Sequence, residues 1–405
     1  MRAFRELRIM KTDEIEYEPR SVKNLVAEMK DTSELMVDLA YSAVLYENRE
    51  IAKEVLDLEE HMNVLRYHAH ISLMLAARNP RDAEQLVGIF QVVGAAEKIA
   101  NAADDIASVL TLEVGLPDEL RSALPEANEV VFRAEIDEES ELGGRTLEDI
   151  DLETNTGVQV FAIKRDTDWI FAPGSDTQLL RGDVIFGEGP EVGVDEVYER
   201  ATRRAWHREG AVPSDIEDLD RAVTGIVDLK NTSELAVGLA YSALLLESEE
   251  VATEVQALES KTDRLKKDLE EWVLDAAGRV DDVTELRGLL HLATSAEVIA
   301  DAALEIADVV MRDIDLHPVI AQAIRESNEM IAGIKVAEGS ELEGQTLGEL
   351  LVESETGMYV MAVHRADDEW VYSPTSETDV EAGDTLIARG PENGKKRLEK
   401  MAGGN

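Results

Sequence analysis

Apolar residues recur every three or four positions from Ser33 to Leu65, in "SELMVDLAYSAVLYENREIAKEVLDLEEHMNVL". That is the spacing of amphipathic helices. A further helix is predicted over "ARNPRDAEQLVGIFQVVGAAEKIANAADDIASVL", with Asn79 as N-cap and Pro80 at the first helical position. Three long helices joined by short breaks suggest an up-down antiparallel bundle, and the alanines of the third permit close helix approach. The period then shortens to two. "GVQVFAIKR" alternates and is rich in β-branched and aromatic residues, as a strand is. "EVVFRAEI", "DWIFAP" and "GDVIFGEG" are further strands, and "RTLEDID" is a short helix. Pro173 ends a strand, and Gly182-Asp183 makes a hairpin-type turn. The order is β-α-β-β-β, a small α+β domain.

The whole pattern then repeats at an offset of about 200 residues. "DTSELMVDLAYSAVLYE" from Asp31 returns as "NTSELAVGLAYSALLLE" from Asn231. Glu97-Ile99-Ala100 matches Glu297-Ile299-Ala300, Asn128-Glu129 matches Asn328-Glu329, and Gly157 matches Gly357. After Arg165 and Arg365 one residue is inserted, and Trp169 then pairs with Trp370 and Gly182-Asp183 with Gly383-Asp384. Constant register over a whole unit means a duplicated pair of domains. Asp282 and Glu285 have capping-box spacing before the third helix of the second copy, and Ser214 and Glu217 have it before the first. "VDEVYERATRRAWHREG" between the units predicts a connecting helix stopped by Gly210. Its basic residues Arg203, Arg204, His207 and Arg208 are read as pairing with acidic neighbours. The boundaries are an N-terminal segment 1–20, helical domain 21–127, α+β domain 128–192, linker helix 193–212, helical domain 213–327 and α+β domain 328–405.

Composition narrows the function classes. The 405 residues suit two to four domains. Only 4% are aromatic, so the cores rest on Leu, Val, Ile and Ala. The absence of cysteine removes disulfides, thiolate zinc sites and cysteine nucleophiles. No apolar run is read as long enough to cross a bilayer, and the charged start "MRAFRELRIMKTDE" does not suit a signal peptide. The expectation is a cytoplasmic soluble protein. Net charge is −46, with 86 acidic against 40 basic residues spread over the whole length. Such a surface disfavours nucleic acid and anionic lipid and fits a protein adapted to molar salt.

The helical parts resemble PhoU domains, whose third helix carries a motif like "EKIANAADDIAS" and "EVIADAALEIAD". The α+β parts resemble the C-terminal RCK domain, also called TrkA-C. Its pattern is a Leu-rich short helix, T-G-V or its like, an apolar strand ending in Arg, a strand ending in Pro, and G-D before the last strand. The chain is thus identified as a tandem PhoU and TrkA-C protein of haloarchaeal type. The fold implied is α+β multidomain, two three-helix bundles alternating with two β-α-β-β-β domains. The dinucleotide-binding Rossmann domain usual in potassium-transport RCK proteins is not seen.

The resemblance implies a cytoplasmic regulator of a membrane cation transporter or channel, for potassium or another cation, peripheral to the membrane through that partner. TrkA-C domains dimerise, and some bind cyclic di-AMP, so that dinucleotide or another purine nucleotide is the ligand candidate. By matching motif, Ala162, Ile163, Arg165, Ile170 and Pro173 would face it in the first copy. Ala362, Val363, Arg365, Val371, Ser373 and Pro374 would do so in the second. The competing reading is that these residues only build a domain interface. The protein would then be an adaptor whose bundles bind a partner. A homodimer and an intrachain pseudo-dimer both remain open.

Two further constellations stand out in the sequence. Glu97, Asn101 and Asp105 share a helix face, as do Glu297, Asp301 and Glu305. Oxygen ligands so placed could hold a divalent metal or iron; a solvated acidic face is the competing reading. "GEGPEVG", Gly187 to Gly193, departs from a dinucleotide fingerprint by one residue. The seven histidines lack ligand spacing. No nucleophile with a neighbouring base is apparent, so no enzyme is expected.

Overall fold

A computed structural model describes residues 19–112, 114–117, 120, 130–166, 168–171, 173–189, 191–206, 216–280, 282–312, 330–366, 370–372, 374–390 and 392–403. Helices α1 (Val22–Leu45), α2 (Arg49–Ala76) and α3 (Pro80–Thr111) form the first bundle. Helices α7 (Glu217–Leu246), α8 (Glu249–Ala276) and α9 (Leu286–Met311) form the second. Local chemistry sets their ends. The Ser21 hydroxyl accepts the Asn24 amide at the start of α1. Glu47 and Glu247 turn the chain at φ 49° and 51°. Asn48 and Ser248 then cap α2 and α8. Pro80 does open α3. Ser214 lies outside the described residues; α7 opens after Ile216, which makes no side-chain cap bond. At the other capping box the Asp282 carboxylate accepts the Thr284 amide, and the Glu285 amide goes to the Asp282 carbonyl.

The bundles share one core. Helix α3 packs along α9, and buried Leu25, Met36, Leu58 and Ile99 are continuous with Leu239, Leu258 and Ile299. The alanines of α3 and α9 lie inside it, among them Ala95, Ala103, Ala296 and Ala303. Where α1 meets α7, Tyr41 bonds Ser233 at 3.2 Å and Tyr241 bonds Ser33 at 3.4 Å. One hydroxyl pair is the other with both numbers exchanged between copies, so the repeats face each other across an internal pseudo-dyad. Burial pushes both phenols above their ordinary pKa.

Leu86–Thr111, within α3, has the length and apolar composition of a membrane span, contrary to the sequence reading. Most of that stretch is buried inside the protein. Its alanines and glycines keep it apolar because neighbouring helices must come close.

Each sheet domain is built on a four-stranded antiparallel sheet. In the first, β1 (Val130–Glu135), β2 (Gln159–Arg165), β3 (Asp168–Phe171) and β4 (Val184–Gly189) are ordered β1-β4-β2-β3. Short helices α4 (Leu147–Ile150) and α5 (Leu152–Thr156) lie between β1 and β2. In the second, β5 (Met330–Lys335), β7 (Tyr359–His364), β8 (Trp370–Tyr372) and β10 (Thr385–Gly390) repeat that order. There β6 (Gln345–Thr346) pairs with β9 (Asp379–Val380), where the first copy has a single Thr146–Gln178 bridge.

Helix α6 (Glu191–Thr202) differs from the linker read from sequence. It packs on β1 and buries Val194, Val197 and Ala201 in the first sheet domain. The helix Glu392–Met401 occupies the same place in the second, burying Leu398. The basic residues after α6 divide: Arg203 pairs with Glu139, while His207 and Arg208 lie outside the described residues.

Candidate functional site: the sheet strands and their bundle-facing side

Strand β2 is closed on both faces. A register shift between Val160 and Ala162 inserts Phe161 and resets the alternation. Ala162 therefore joins the helical core, and Ile163 joins the sheet domain's own core. In the second copy Ala362 and Val363 divide in the same way. All four are fully buried. Ladder bonds to β3 and β4 also occupy the β2 backbone on its two edges. Strand β2 is thus an inner strand of its sheet; β3 and β8 each form one sheet edge, and β1 and β5 form the other. Ile170 and Val371 pack partly buried on the domain cores, and Pro173 and Pro374 are half-buried beside β3 and β8. Ser373 lies outside the described residues.

The two arginines are already engaged. Arg165 donates from Nε and Nη2 to the Asp183 carboxylate at 2.9 and 2.8 Å, and to the Gln178 carbonyl at 2.7 Å. Asp183 is 2% exposed and also accepts the Leu180 amide at 2.7 Å. Arg365 bonds Asp384 at 2.6 Å and the Asp379 carbonyl at 2.8 Å. Asp384 accepts the Glu381 amide. In the first copy strand-end Arg and turn Asp thus form a bidentate clamp that ties β2 to the turn before β4, and in the second copy a single bond joins the same pair. Sequence reasoning treated these as separate motif elements and missed that they touch.

The other side of each sheet lies on its bundle. In the first copy Trp169 stacks between Phe171 and Phe186, at centroid distances of 6.1 and 5.2 Å, against the helical core. Glu54 of α2 is buried between two cations: Arg133 reaches Oε1 at 3.1 Å, and Lys164 reaches Oε2. Lys164 also reaches Asp57 at 3.0 Å. Burial lowers the Lys164 pKa, but the bonds from Glu54 and Asp57 outweigh it and raise it overall. In the second copy Met361 sits over Gly238 of α7, where an added Cβ would lie 2.8 Å from its sulfur. His364 stacks on Trp370 at 4.5 Å and approaches Glu250 at 3.4 Å.

The acidic helix faces hold protein cations. Glu97 pairs with Arg66, Glu297 with Lys266, and Glu305 with Lys98 of the other bundle at 2.5 Å. Asp105 and Asp301 are exposed. Desolvation first, then Glu297, Glu259, Asp263 and Glu305, push the Asp301 carboxyl up. Among the described residues no three His, Asp or Glu side chains are arranged to hold a metal ion. In "GEGPEVG", a side chain at Gly187 would strike the Phe132 ring and one at Gly193 the Thr156 carbonyl, so both glycines serve packing.

Family comparison gives these shapes their names. The PhoU domain matches residues 26–110 and 226–310, and the TrkA-C domain matches 131–202 and 331–403. The chain carries two PhoU and two TrkA-C domains in tandem. The TrkA-C match includes α6, in accord with its packing. Among solved structures, PhoU from Pseudomonas aeruginosa aligns at 13% identity and TM-score 0.42, over 72% of this chain and 93% of that one. The GsuK RCK domain aligns at 10% identity and TM-score 0.19, over 68% and 64%. The GsuK channel bound to NAD aligns at 9% and 0.20, over 76% and 65%. The tandem protein thus spans just under two thirds of those GsuK chains. No curated protein matches it. Both domain families are regulatory and non-catalytic, and they fit a role in ion transport.

Proposed function

We propose that the tandem PhoU–TrkA-C protein regulates a membrane cation transporter or channel, potassium among the candidates, by sensing a small ligand at its TrkA-C domains. The observation that supports this most is the pairing of two regulatory domain families in one chain, each present twice. A purine nucleotide, cyclic di-AMP first, is the proposed ligand. The edge strands β3 and β8, beside Ile170, Pro173, Val371 and Pro374, are the proposed contact, because their outer backbone groups are not taken up by a further strand of the sheet. Ala162, Ile163, Ala362 and Val363 then shape the sheet from within. Arg165 and Arg365 hold the neighbouring turn and share charge with the ligand only at its margin. The chain works in the cytoplasm at high salt, attached to the membrane through its partner.

The same sheets lie directly on the bundles, so a ligand that reorients a sheet also moves the helices beneath it. A thermal-shift series at molar salt tests the reading. A nucleotide at a hundred times its dissociation constant adds about 2.7 kcal/mol. An unmoved transition with every cyclic dinucleotide and adenine nucleotide leaves the adaptor reading, in which the sheet domains serve only as interfaces.

A further inference from the structure

Each TrkA-C domain ends in a helix laid on the sheet face that points away from the bundles. In the first, Ala162 and Phe186 belong to the helical core. Ile163 and Ile185 turn the other way and pack with Val194 and Val197 of α6. In the second, Ala362 and Ile387 belong to the helical core, and Val363 and Leu386 pack with Leu398 of the helix Glu392–Met401. The outer sides of both helices therefore lie on the far side of each sheet domain from its bundle.

The repeat register compares those outer sides residue by residue. Buried Val197 and Ala201 match buried Leu398 and Ala402, which sets the alignment. Asp195 then becomes Lys396, Glu196 becomes Arg397 and Glu199 becomes Lys400. All six are exposed. Spacings of three and four place each set on one helix face. Every exchange reverses the sign, in a chain where acids outnumber bases by 86 to 40. General surface acidity accounts for the acids of α6 but not for the basic face of its counterpart. Bonds within each domain hold these helices in place. Arg200 takes Glu196 and Glu141, the Asp195 carboxylate accepts the Trp206 amide, Lys395 takes Glu399, and Arg397 donates to the Glu355 carbonyl.

We propose that the two faces bind each other between copies of the chain, the first TrkA-C domain of one against the second TrkA-C domain of another. The faces stand on the same scaffold with opposite charge at each matching position, so they are complementary in placement and in sign. Pairing like with like sets acids against acids or bases against bases and is refused. Charge here selects the partner and the register. Val192, 85% exposed one turn before Asp195 and Glu196, adds an apolar group to the contact. The inference goes beyond ligand sensing and stands whether or not a nucleotide binds.

Charge-swap variants of the full chain test it by sedimentation equilibrium, at the lowest salt at which circular dichroism shows each one folded. Lys396→Glu with Lys400→Glu turns the second face acidic like the first. Glu196→Lys with Glu199→Lys turns the first face basic like the second. Both leave Asp195 and Arg397 to the bonds within their own domains. The unaltered chain is expected to self-associate, and less so as salt rises. Each double variant alone is expected to self-associate at least about tenfold more weakly. An equimolar mixture of the two, or one chain carrying all four changes, is expected to recover the original association. An unaltered chain that stays monomeric would leave the basic face to a different, acidic protein and overturn the inference. So would self-association that either reversal leaves unchanged, or that neither the mixture nor the fourfold variant restores.

Discussion

Arg165 illustrates how a motif residue can be legible in type and misread in role. Its place at a strand end marks the family, and an arginine there invites a phosphate. The structure gives both of its donor edges to Asp183 and Gln178. Arg165→Ala strips a buried carboxylate of its charged partner, which costs about 1.5–3 kcal/mol. The expected outcome in chemical denaturation is loss of the first TrkA-C domain ahead of the bundles. A variant with unchanged stability would return Arg165 to a ligand role. Asp301 carries a pH prediction. Its folded carboxyl titrates above the unfolded one, so the folded chain holds more protons across that window. Stability on this account is present at lower pH and falls as pH rises through the raised pKa. Asp301→Asn is expected to raise the melting temperature at neutral pH and to give no gain in acid below the ordinary carboxylate range. A neutral-pH loss of stability would mean the carboxylate serves as an acceptor or ligand instead.

At the scale of elements, periodicity in the sequence foretold the long helices, the strands and their order, because each needs one continuous apolar stripe. Pro80 opened its helix as expected. What stayed hidden depends on partners distant in sequence. The bulge at Phe161 turns Ala162 and Ile163 to opposite faces, and simple alternation has no sign of it. Helix α6 looked like a linker because its polar face dominates; only β1 reveals what Val194, Val197 and Ala201 cover. The aligned acids Glu297 and Glu305 suggested a metal, but Lys266 and Lys98 come from other helices to meet them. The "T-G-V" element has a local cause that the sequence did carry. Gly157 and Gly357 both stand at φ 71°, between a short helix and a strand, where a side chain is strained.

The whole molecule is two copies of one unit joined along α3 and α9 and across the Tyr41–Ser233 and Tyr241–Ser33 pairs. Duplication lets one chain supply both halves of a pseudo-symmetric assembly, and then lets the halves diverge, as the charges on their outer helices have. A charge of −46 on this assembly is self-repulsive once screening is removed. The Debye length grows from about 3 Å at 1 M to about 10 Å at 0.1 M salt. Dialysis to low salt is expected to cost helical signal and melting temperature; an unchanged melt in dilute buffer would remove the salt adaptation.

Calorimetric titration of the full chain at molar salt bears most directly on the proposal that the tandem protein is a ligand-sensing regulator. Cyclic di-AMP comes first, followed by other cyclic dinucleotides and adenine nucleotides. The expected result is saturable heat for one of them, retained when Asp301 is changed to Asn and reduced when Ile170 on β3 and Pro173 just beyond it are replaced. No heat from any nucleotide with a fully folded chain would contradict the sensor reading.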